Sequence, residues 1–372
     1  MRIFVSEYLT SGACPGIPLD SSLMREGRLM LEALLADLES LGGVQTVTTR
    51  DSRFEVRSKR PVHQTIRTFS SDEEQKLFET LIRETDAVLI IAPETDNLLE
   101  DRVHRAAGIS GAVRILNCRS EAIAYCADKL TLPQRLNSLS ISVVPAAPID
   151  FAKNEHVPFD FPVVVKPRFG AGCEETYCVE SDITWTRLLA SILNRSAEDE
   201  SQNWIVQPFV RGVSLSSVAL FRSDGSLKGV LPLGRQNIHR SGNQLSYRGG
   251  TIPWVHTDSP EAAEQNETFF AQLESVLHGL RGYVGADWIW DETSQRLHLV
   301  EINPRLTTSY LGYRELYGTQ IAATLIDDER DQPLEQYTGD CIRFDVEGRL
   351  ARSTNSTRSA APTFEKSGEI LP

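Results

Sequence analysis

The first third of the chain alternates between strand-like and helix-like spacing of its apolar residues. Residues 22–41 place leucines on one helical face, with a serine at the N-cap position (Ser21 or Ser22) and a Gly-Gly stop. Residues 87–92 are apolar throughout, as in a parallel strand covered on both faces. The predicted elements are strands at 2–5, 44–49, 87–92 and 115–117, and helices at 22–41, 72–85 and 120–137. Residues 1–125 therefore predict an open, doubly wound α/β domain.

Beyond about residue 130 the pattern changes to short strands separated by turns, which favours antiparallel sheets. The predicted elements here are strands at 162–166, 204–208, 215–221 and 227–233, a helix at 258–281 and a hairpin over 284–303. The polar, proline-punctuated end of the chain, residues 349–372, predicts a disordered tail.

Composition narrows the class of protein. The chain has 372 residues, enough for two or three domains, and it has no apolar run long enough for a transmembrane helix. Its net charge of −13 argues against nucleic-acid binding. The six cysteines lack zinc-binding spacing and the first residues do not resemble a signal peptide, so we expect a cytoplasmic protein with free thiols.

The common nucleotide and hydrolase motifs are missing. The sequence contains no GxxxxGK[ST] loop, no dinucleotide-binding glycine pattern, no GxSxG elbow and no HExxH. Instead, Lys166 ends an apolar strand and the glycine-containing loop 168–175 follows at once. A lysine supplies a point charge for phosphate and glycines let backbone amides approach it, although a surface lysine before a turn gives the same pattern.

A second candidate site lies on the hairpin. If the turn centres on Ser294, Asp287 lies opposite Glu301 and Ile289 opposite Leu299. Alternation then places Asp287, Glu301 and Asn303 on one face, and Trp288, Trp290, Val300 and Ile302 on the other. Two carboxylates and an amide oxygen are ligands that suit Mg²⁺, and facing carboxylates repel each other unless a cation neutralises them. The hairpin therefore predicts a magnesium site.

Together these segments resemble the ATP-grasp superfamily of ATP-dependent carboxylate–amine ligases, over about residues 120–325. The resemblance implies an ATP-grasp fold with three parts: an N-terminal pre-ATP-grasp domain (1–125), a small lid subdomain (126–210) and a catalytic subdomain (211–348). It implies that ATP is held by Lys129, Lys166, the loop glycines Gly170 and Gly172, the adenine hinge Gln207, Pro208, Phe209 and Val210, and, at the ribose position, Ser214. It also implies that Asp287, Glu301 and Asn303 bind two Mg²⁺ ions, with Mn²⁺ as a substitute.

The sequence departs from the superfamily pattern at two positions. Ser214 stands where an acidic residue commonly binds the ribose, and Gly285 stands where an arginine often precedes the metal-binding aspartate. Arg235, Arg248 and Arg305 are the alternatives for the missing cation. We assign Arg305, Arg248 and Lys166 as the catalytic candidates.

Two segments carry a narrower resemblance: residues 6–12 with 26–31, and residues 301–310 (EINPRLTTSY). They resemble the branch that includes archaeal tyramine–L-glutamate ligase. The resemblance implies that a small carboxylate, L-glutamate, is joined through an acyl phosphate to a tyramine- or tyrosine-like amine in the synthesis of a methanofuran-type cofactor. We expect residues 240–253 to form a substrate loop. The resemblance allows a homodimer, and no nucleic-acid or membrane partner is expected.

The sequence allows two other functions. One is an ATP-binding regulatory protein of the same fold, against which the intact metal triad and both lysines argue. The other is a bicarbonate-using carboxylase, which is disfavoured because no biotin-carrier or amidotransferase domain is visible in the sequence.

Overall fold

The computed structural model describes residues 1–54, 63–109, 113–150, 157–195, 203–330, 334–335 and 340–353. The strands are β1 (Arg2–Glu7), β2 (Gln45–Asp51), β3 (His63–Thr68), β4 (Ala87–Ile91), β5 (Arg114–Ile115), β6 (Ser142–Val143), β7 (Ala147–Ile149), β8 (Val163–Pro167), β9 (Thr176–Val179), β10 (Trp204–Pro208), β11 (Val213–Phe221), β12 (Leu227–Ser241), β13 (Gln244–Ile252), β14 (Gly282–Asp291), β15 (Arg296–Asn303), β16 (Cys341–Phe344) and β17 (Leu350–Ser353). The helices are α1 (Ser22–Glu39), α2 (Ser71–Glu84), α3 (Leu98–Ile109), α4 (Ser120–Ala127), α5 (Leu132–Arg135), α6 (Asp182–Arg195), α7 (Ser259–Val276), α8 (Tyr310–Tyr317) and α9 (Gln320–Ile326), with a short 3-10 turn at Thr95–Asn97.

The N-terminal region is a parallel sheet in the order β3-β2-β1-β4-β5, so the predicted doubly wound domain is confirmed. Ser21 caps α1 by accepting the amide of Met24. Sequence patterns missed β3 and α3. The chain leaves β1 toward one side of the sheet, and β4 lies on the other side of β1. The carboxyl ends of β1 and β4 therefore meet at the point where the strand order reverses, which is where open α/β sheets bind ligands.

The rest of the described chain builds a second, twelve-stranded sheet that is mostly antiparallel, in the order β6-β15-β14-β11-β12-β13-β9-β8-β10-β7, with β16 and β17 beside β13. The prediction of a substrate loop at 240–253 is wrong. Strand β12 runs to Ser241 and β13 begins at Gln244, so these residues form a hairpin whose ladder hydrogen bonds are made within the sheet.

The helix predicted over 120–137 is also wrong, because it divides into α4 and α5. Asp128 breaks it: its Oδ1 accepts the amides of Leu130 (3.1 Å) and Thr131 (3.4 Å) and competes with the helical hydrogen bonds. Pro133 then starts α5. The break matters for the site, because it turns Lys129 toward the second sheet.

Strands β7 to β10 and α6 share a hydrophobic core of their own, separate from the two larger core clusters. A separate core of this kind is what the lid subdomain predicted over residues 126–210 requires. At the other end of the chain, residues 350–353 of the predicted disordered tail form strand β17, so the prediction is wrong for these four residues. Residues 354–372 lie outside the described residues. Within the described ranges, no helix has the length and apolar character needed to cross a membrane.

Candidate active site

The hairpin β14–β15 brings the predicted metal ligands together. Asp287 pairs with Glu301 and Gly285 with Asn303, as the turn position predicted. A β-bulge between Asp287 and Trp288 then shifts the register, so Ile289 lies opposite His298 and the predicted Leu299 partner is wrong.

The bulge also changes which side chains face the site. Val300 lies beside Glu301 in the wall of the cleft, so its predicted place on the opposite face is wrong. The two tryptophans Trp288 and Trp290 are buried and hold the hairpin against the core. Trp288, which was predicted on the opposite face, also contributes to the lining of the cleft.

Positive charge surrounds one carboxylate of the pair. The Nζ atoms of Lys129 and Lys166 lie 3.6 and 3.8 Å from Oε2 of Glu301. Burial alone would raise the pKa of Glu301, but the two lysines outweigh it and lower that pKa to about 2. Burial and the nearby Glu301 raise the pKa of Asp287 well above its ordinary value. Without a cation, the pair therefore holds one proton, which Asp287 carries while Glu301 stays ionised.

The oxygen atoms around Asp287 are of the kind that a divalent cation prefers, and hydrogen bonds fix their positions. Gln236 donates to Oδ1 (2.8 Å), and the amide nitrogen of Asn303 donates to Oδ2 (3.1 Å), which directs the Asn303 carbonyl oxygen away from the aspartate. No cluster of three or more His, Cys, Asp or Glu suited to a metal occurs in the described ranges. A cation at this place would therefore be held by the predicted set of two carboxylates and the Asn303 amide oxygen. These hard oxygen donors suit Mg²⁺, whose charge would remove the repulsion between the carboxylates.

An open cleft with an empty volume of about 1390 Å³ lies above this pair. Most of the ATP-binding residues that the sequence predicted line it: Lys129, Lys166, Gly170, Gln207, Pro208, Phe209, Val210 and Ser214. Gln207 also donates to the carbonyl of Val144 (3.3 Å), which fixes one end of the hinge. Gly172 lies instead on the neighbouring cavity described below.

The glycine loop is tied down at its base. Lys129 donates to the carbonyl of Gly170 (2.7 Å), and Arg168 makes two hydrogen bonds to Asp128 (2.6 and 2.7 Å). Farther along, Gly172 and Cys173 both have positive φ (68° and 58°), a conformation that turns successive backbone amides in one direction. The loop can therefore present N–H groups to phosphate oxygens.

A second cavity, about 800 Å³ of empty volume, adjoins the first and shares Asp287, Glu301 and Gln236 with it. One wall is Arg305 with Thr307, Thr308 and Ser309, and the other comes from the N-terminal domain. Nε of Arg305 donates to both oxygens of the buried Glu94 at 2.9 Å. Among the described residues its Nη2 group makes no hydrogen bond, so that donor is available to a ligand.

The other two candidate arginines lie elsewhere. Arg248 and Arg235 are exposed, and neither lines either cavity. Strand alternation explains why Arg248 lies outside the cavity. Its neighbour Tyr247 on β13 lines the cavity, so Arg248 projects from the other face of the strand. The structure therefore brings Arg305, and not Arg248, to the metal-binding face.

Three further polar cavity residues had no predicted role: Glu7, Glu26 and Gln236. A fourth, Tyr247, belongs to the segment that was predicted as a substrate loop. Glu7 and Glu26 belong to the segments that carried the narrower resemblance. The rule that ligands bind where strand order reverses could have pointed to Glu7, at the end of β1. Gln236 could not be identified because the strand that became β12 was predicted only to residue 233. Tyr247 lies on β13, which was predicted as part of a loop.

Comparison with known proteins identifies the class. An ATP-grasp domain matches residues 126–309, and a pre-ATP-grasp domain matches residues 44–123. The chain belongs to the ATP-grasp superfamily, and its fold is the ATP-grasp fold with an N-terminal pre-ATP-grasp domain. The matches support an ATP-dependent C–N ligase.

Individual relatives are distant. The chain is 26% identical over 333 residues to tyramine–L-glutamate ligase of Methanocaldococcus fervens, covering 89% of this chain and 93% of the relative. An ATP-grasp superfamily protein from Archaeoglobus fulgidus superposes with a TM-score of 0.65 at 22% identity, over 92% of both chains. An L-amino acid ligase from Bacillus licheniformis has a TM-score of 0.61 at 12% identity, over 92% of this chain and 78% of the other. The two structures show the shared fold.

Proposed function

We propose that this protein joins a small carboxylate to an amine, with ATP as the energy source and an acyl phosphate as the intermediate. The carboxylate is L-glutamate and the amine is tyramine or a tyrosine-like amine. The observation that carries this proposal is the junction of the two cavities: Asp287 and Glu301 lie in the walls of both. A nucleotide in one cavity and a carboxylate in the other would meet over these residues.

In the first step, which transfers the γ-phosphoryl group to the substrate carboxylate, different residues bind the phosphates, the carboxylate and the cation. Lys129 and Lys166 hold the phosphates, and Arg305 holds the substrate carboxylate. Asp287, Glu301 and Asn303 would hold Mg²⁺, which neutralises charge on the phosphates when bound. A carboxylate oxygen forms a bond to the γ-phosphorus, the bond between that phosphorus and the β-bridging oxygen breaks, and ADP leaves with the electron pair.

The second step forms the amide. The neutral amine nitrogen attacks the acyl carbon, the bond from that carbon to the phosphate oxygen breaks, and phosphate leaves. Attack leaves a positive charge on the nitrogen, which then releases one proton to phosphate or solvent. Closure of the glycine loop over 168–175 would exclude water, which otherwise hydrolyses the intermediate.

The setting of the reaction is part of the proposal. The relative's activity suggests a step in the synthesis of a methanofuran-type one-carbon cofactor. Six free cysteines and the need for ATP fit a cytoplasmic enzyme with small-molecule partners.

The experiment combines purified protein, ATP, Mg²⁺ and L-glutamate with single amines, and identifies nucleotide and adduct by mass spectrometry. We expect ADP and a glutamyl amide. AMP with pyrophosphate would refute the acyl phosphate, and product that requires bicarbonate would favour a carboxylase. Tight ATP binding without turnover over a wide substrate panel would favour a regulatory protein.

A paired variant links the chemistry to the metal-binding face. Glu301→Ala should abolish product while the fold is retained, because it removes the carboxylate shared by both cavities. Glu292→Ala, an exposed acidic residue in the turn of the same hairpin, should leave activity unchanged. Equal activity of Glu301→Ala and the control would contradict the assignment.

A further inference from the structure

The wall that the N-terminal domain contributes to the second cavity combines acidic and apolar groups. Glu7 ends β1, and Glu26 lies in the first turns of α1. The apolar side chains Leu9, Leu23 and Met30 line the same wall. Glu7 and Glu26 are only 1% and 7% exposed, although glutamate is seldom buried without a cationic partner.

The Glu7 carboxylate is held in place by the backbone. Oε1 accepts the amide of Leu9 (3.2 Å) and Oε2 accepts the amide of Thr10 (2.6 Å). Gly27 leaves room for it, since a Cβ at that position would lie 2.4 Å from Oε1 of Glu7. Helix α1 therefore approaches the carboxylate more closely than any residue with a side chain would permit.

Glu26 is fixed from the opposite wall. Its Oε2 accepts the Thr308 hydroxyl (2.9 Å), and its Oε1 accepts the Ser22 hydroxyl (3.1 Å). Neither partner carries charge, and burial raises the pKa of Glu26. The phenol of Tyr247 lines the same cavity and makes no hydrogen bond within the described part of the chain. The carboxylate and the phenol are thus polar groups at the cavity with room for a further partner.

We propose that Glu26, supported by Glu7, binds the ammonium group of the amine substrate and places its nitrogen beside the acyl phosphate, whose acyl carbon the nitrogen attacks once it has released one proton to solvent. This proposal rests on the proposed function and names the half of the second cavity that the amine occupies. The apolar side chains on the same wall would pack against a hydrocarbon or aromatic body attached to that ammonium. The class of substrate is therefore a primary alkylamine with an apolar or aromatic body.

Charge assigns the two substrates to opposite walls. L-glutamate carries two carboxylates and one ammonium group, a net charge of −1 at neutral pH, so Glu7 and Glu26 would repel it overall and Arg305 would attract its carboxylates. Its ammonium group is the competing occupant of the acidic wall, which the glutamate KM tests. A tyramine-like amine carries one positive charge and an apolar body, which match the acidic and apolar wall. Glu26 accepts the hydroxyl of Thr308, which follows Arg305 by three residues, and both Glu26 and Arg305 line the cavity, so the two subsites are neighbours. That arrangement places the nitrogen beside the activated carboxyl group.

The test measures KM for ATP, L-glutamate and tyramine in wild type, Glu26→Gln and Glu32→Gln. Glutamine keeps the shape and one acceptor but removes the charge. We expect Glu26→Gln to raise the tyramine KM about 10- to 100-fold, the usual effect of losing a charged hydrogen bond, and to leave the other two KM values within about twofold. Glu32, on the same helix and paired with Arg50 outside the cavity, is the matched control and should behave as wild type.

A neutral nucleophile separates binding from folding. Hydroxylamine is uncharged at pH 7 and does not need an ammonium site, so hydroxamate formation from ATP and L-glutamate should be equal in wild type and Glu26→Gln. An unchanged tyramine KM, a rise in the glutamate KM instead, or parallel loss of hydroxamate would overturn the amine site. Failure of wild type to form ADP with any carboxylate would contradict the proposed function itself, so the two failures can be told apart.

Discussion

At the scale of single residues, the least expected position is a glycine inside a helix. Gly27 lies in α1, where glycine is unfavourable by about 0.5–1 kcal/mol relative to alanine. Its contact with Glu7 explains why alanine would be worse here, since the added methyl group would collide with a carboxylate that two backbone amides hold. Helix propensity alone could not have shown this, because the colliding atom belongs to a strand 20 residues earlier in the sequence.

The predicted effect of Gly27→Ala is opposite to that of the same change in α3. Gly108 is also helical, but a Cβ there meets nothing within 4 Å. Gly108→Ala should stabilise the protein by about 0.5–1 kcal/mol, whereas Gly27→Ala should destabilise it by about 1–3 kcal/mol through overpacking. Urea unfolding of both variants measures the difference. If Gly27→Ala is as stable as Gly108→Ala, Glu7 is not confined as described.

At the scale of elements, the hairpin β14–β15 shows how far sequence reasoning reached. Turn position and period-two alternation placed Asp287 opposite Glu301 correctly. The bulge beside Asp287 could not be foreseen, because one extra residue in a strand leaves no signature in the apolar pattern and shows itself only through the partner strand. The bulge lies between the turn and the predicted metal ligands. The predicted register therefore holds at Asp287 and Glu301 and fails on the turn side, where the error fell on Ile289 and Val300.

The glycine loop offers a prediction about pH. Burial raises the pKa of Asp128, but its hydrogen bonds from Arg168 and Thr131 outweigh this and lower the pKa to about 2. A carboxyl whose pKa falls on folding stabilises the native state above its unfolded pKa of about 3.9, and this stabilisation is lost as the pH falls toward the folded value. We therefore expect wild type to exceed Asp128→Asn in stability at pH 7, and the gap to close between about pH 4 and pH 2.

Urea midpoints for the two proteins at pH 7, 5 and 3 test this expectation. Asp20→Asn is the control, since Asp20 is an exposed aspartate whose carboxylate makes no hydrogen bond to any residue that the structure describes. A gap between wild type and Asp128→Asn that stays constant down to pH 3 would mean that the Asp128–Arg168 pair does not hold the base of the loop.

At the scale of the whole molecule, the second cavity exists only because two domains meet. The parallel sheet supplies the ends of β1 and β4, and the antiparallel sheet supplies the segment after β15. Each half was predictable as a fold, and the resemblance selected residues that line one common cleft. The cavity between the halves was not, because no local pattern states how two sheets pack. This explains why Glu7 and Glu26 received no role and why Arg248 was assigned as a catalytic candidate together with Arg305.

The ion pair between Glu94 and Arg305 joins these two halves at the cavity. Glu94 follows β4 and Arg305 follows β15, and their side chains are 3% and 10% exposed. Glu94→Gln would leave the buried guanidinium with a neutral partner, so we expect a loss of about 2–3 kcal/mol of stability and a raised KM for the substrate carboxylate. The half-exposed pair of Arg2 and Glu84 provides the comparison, and Glu84→Gln should cost less than about 1 kcal/mol.

A double-mutant cycle decides whether this ion pair orients the substrate arginine or only joins the domains. Arg305→Gln should raise the carboxylate KM as well. In the Glu94→Gln/Arg305→Gln double variant, the two effects on that KM should not add, because the first change acts through the second residue. Fully additive changes in KM would show that Glu94 acts on stability alone. The KM for ATP serves as the internal reference and should stay constant through the cycle. Arg305 lines the second cavity and not the open cleft in which we propose that ATP binds.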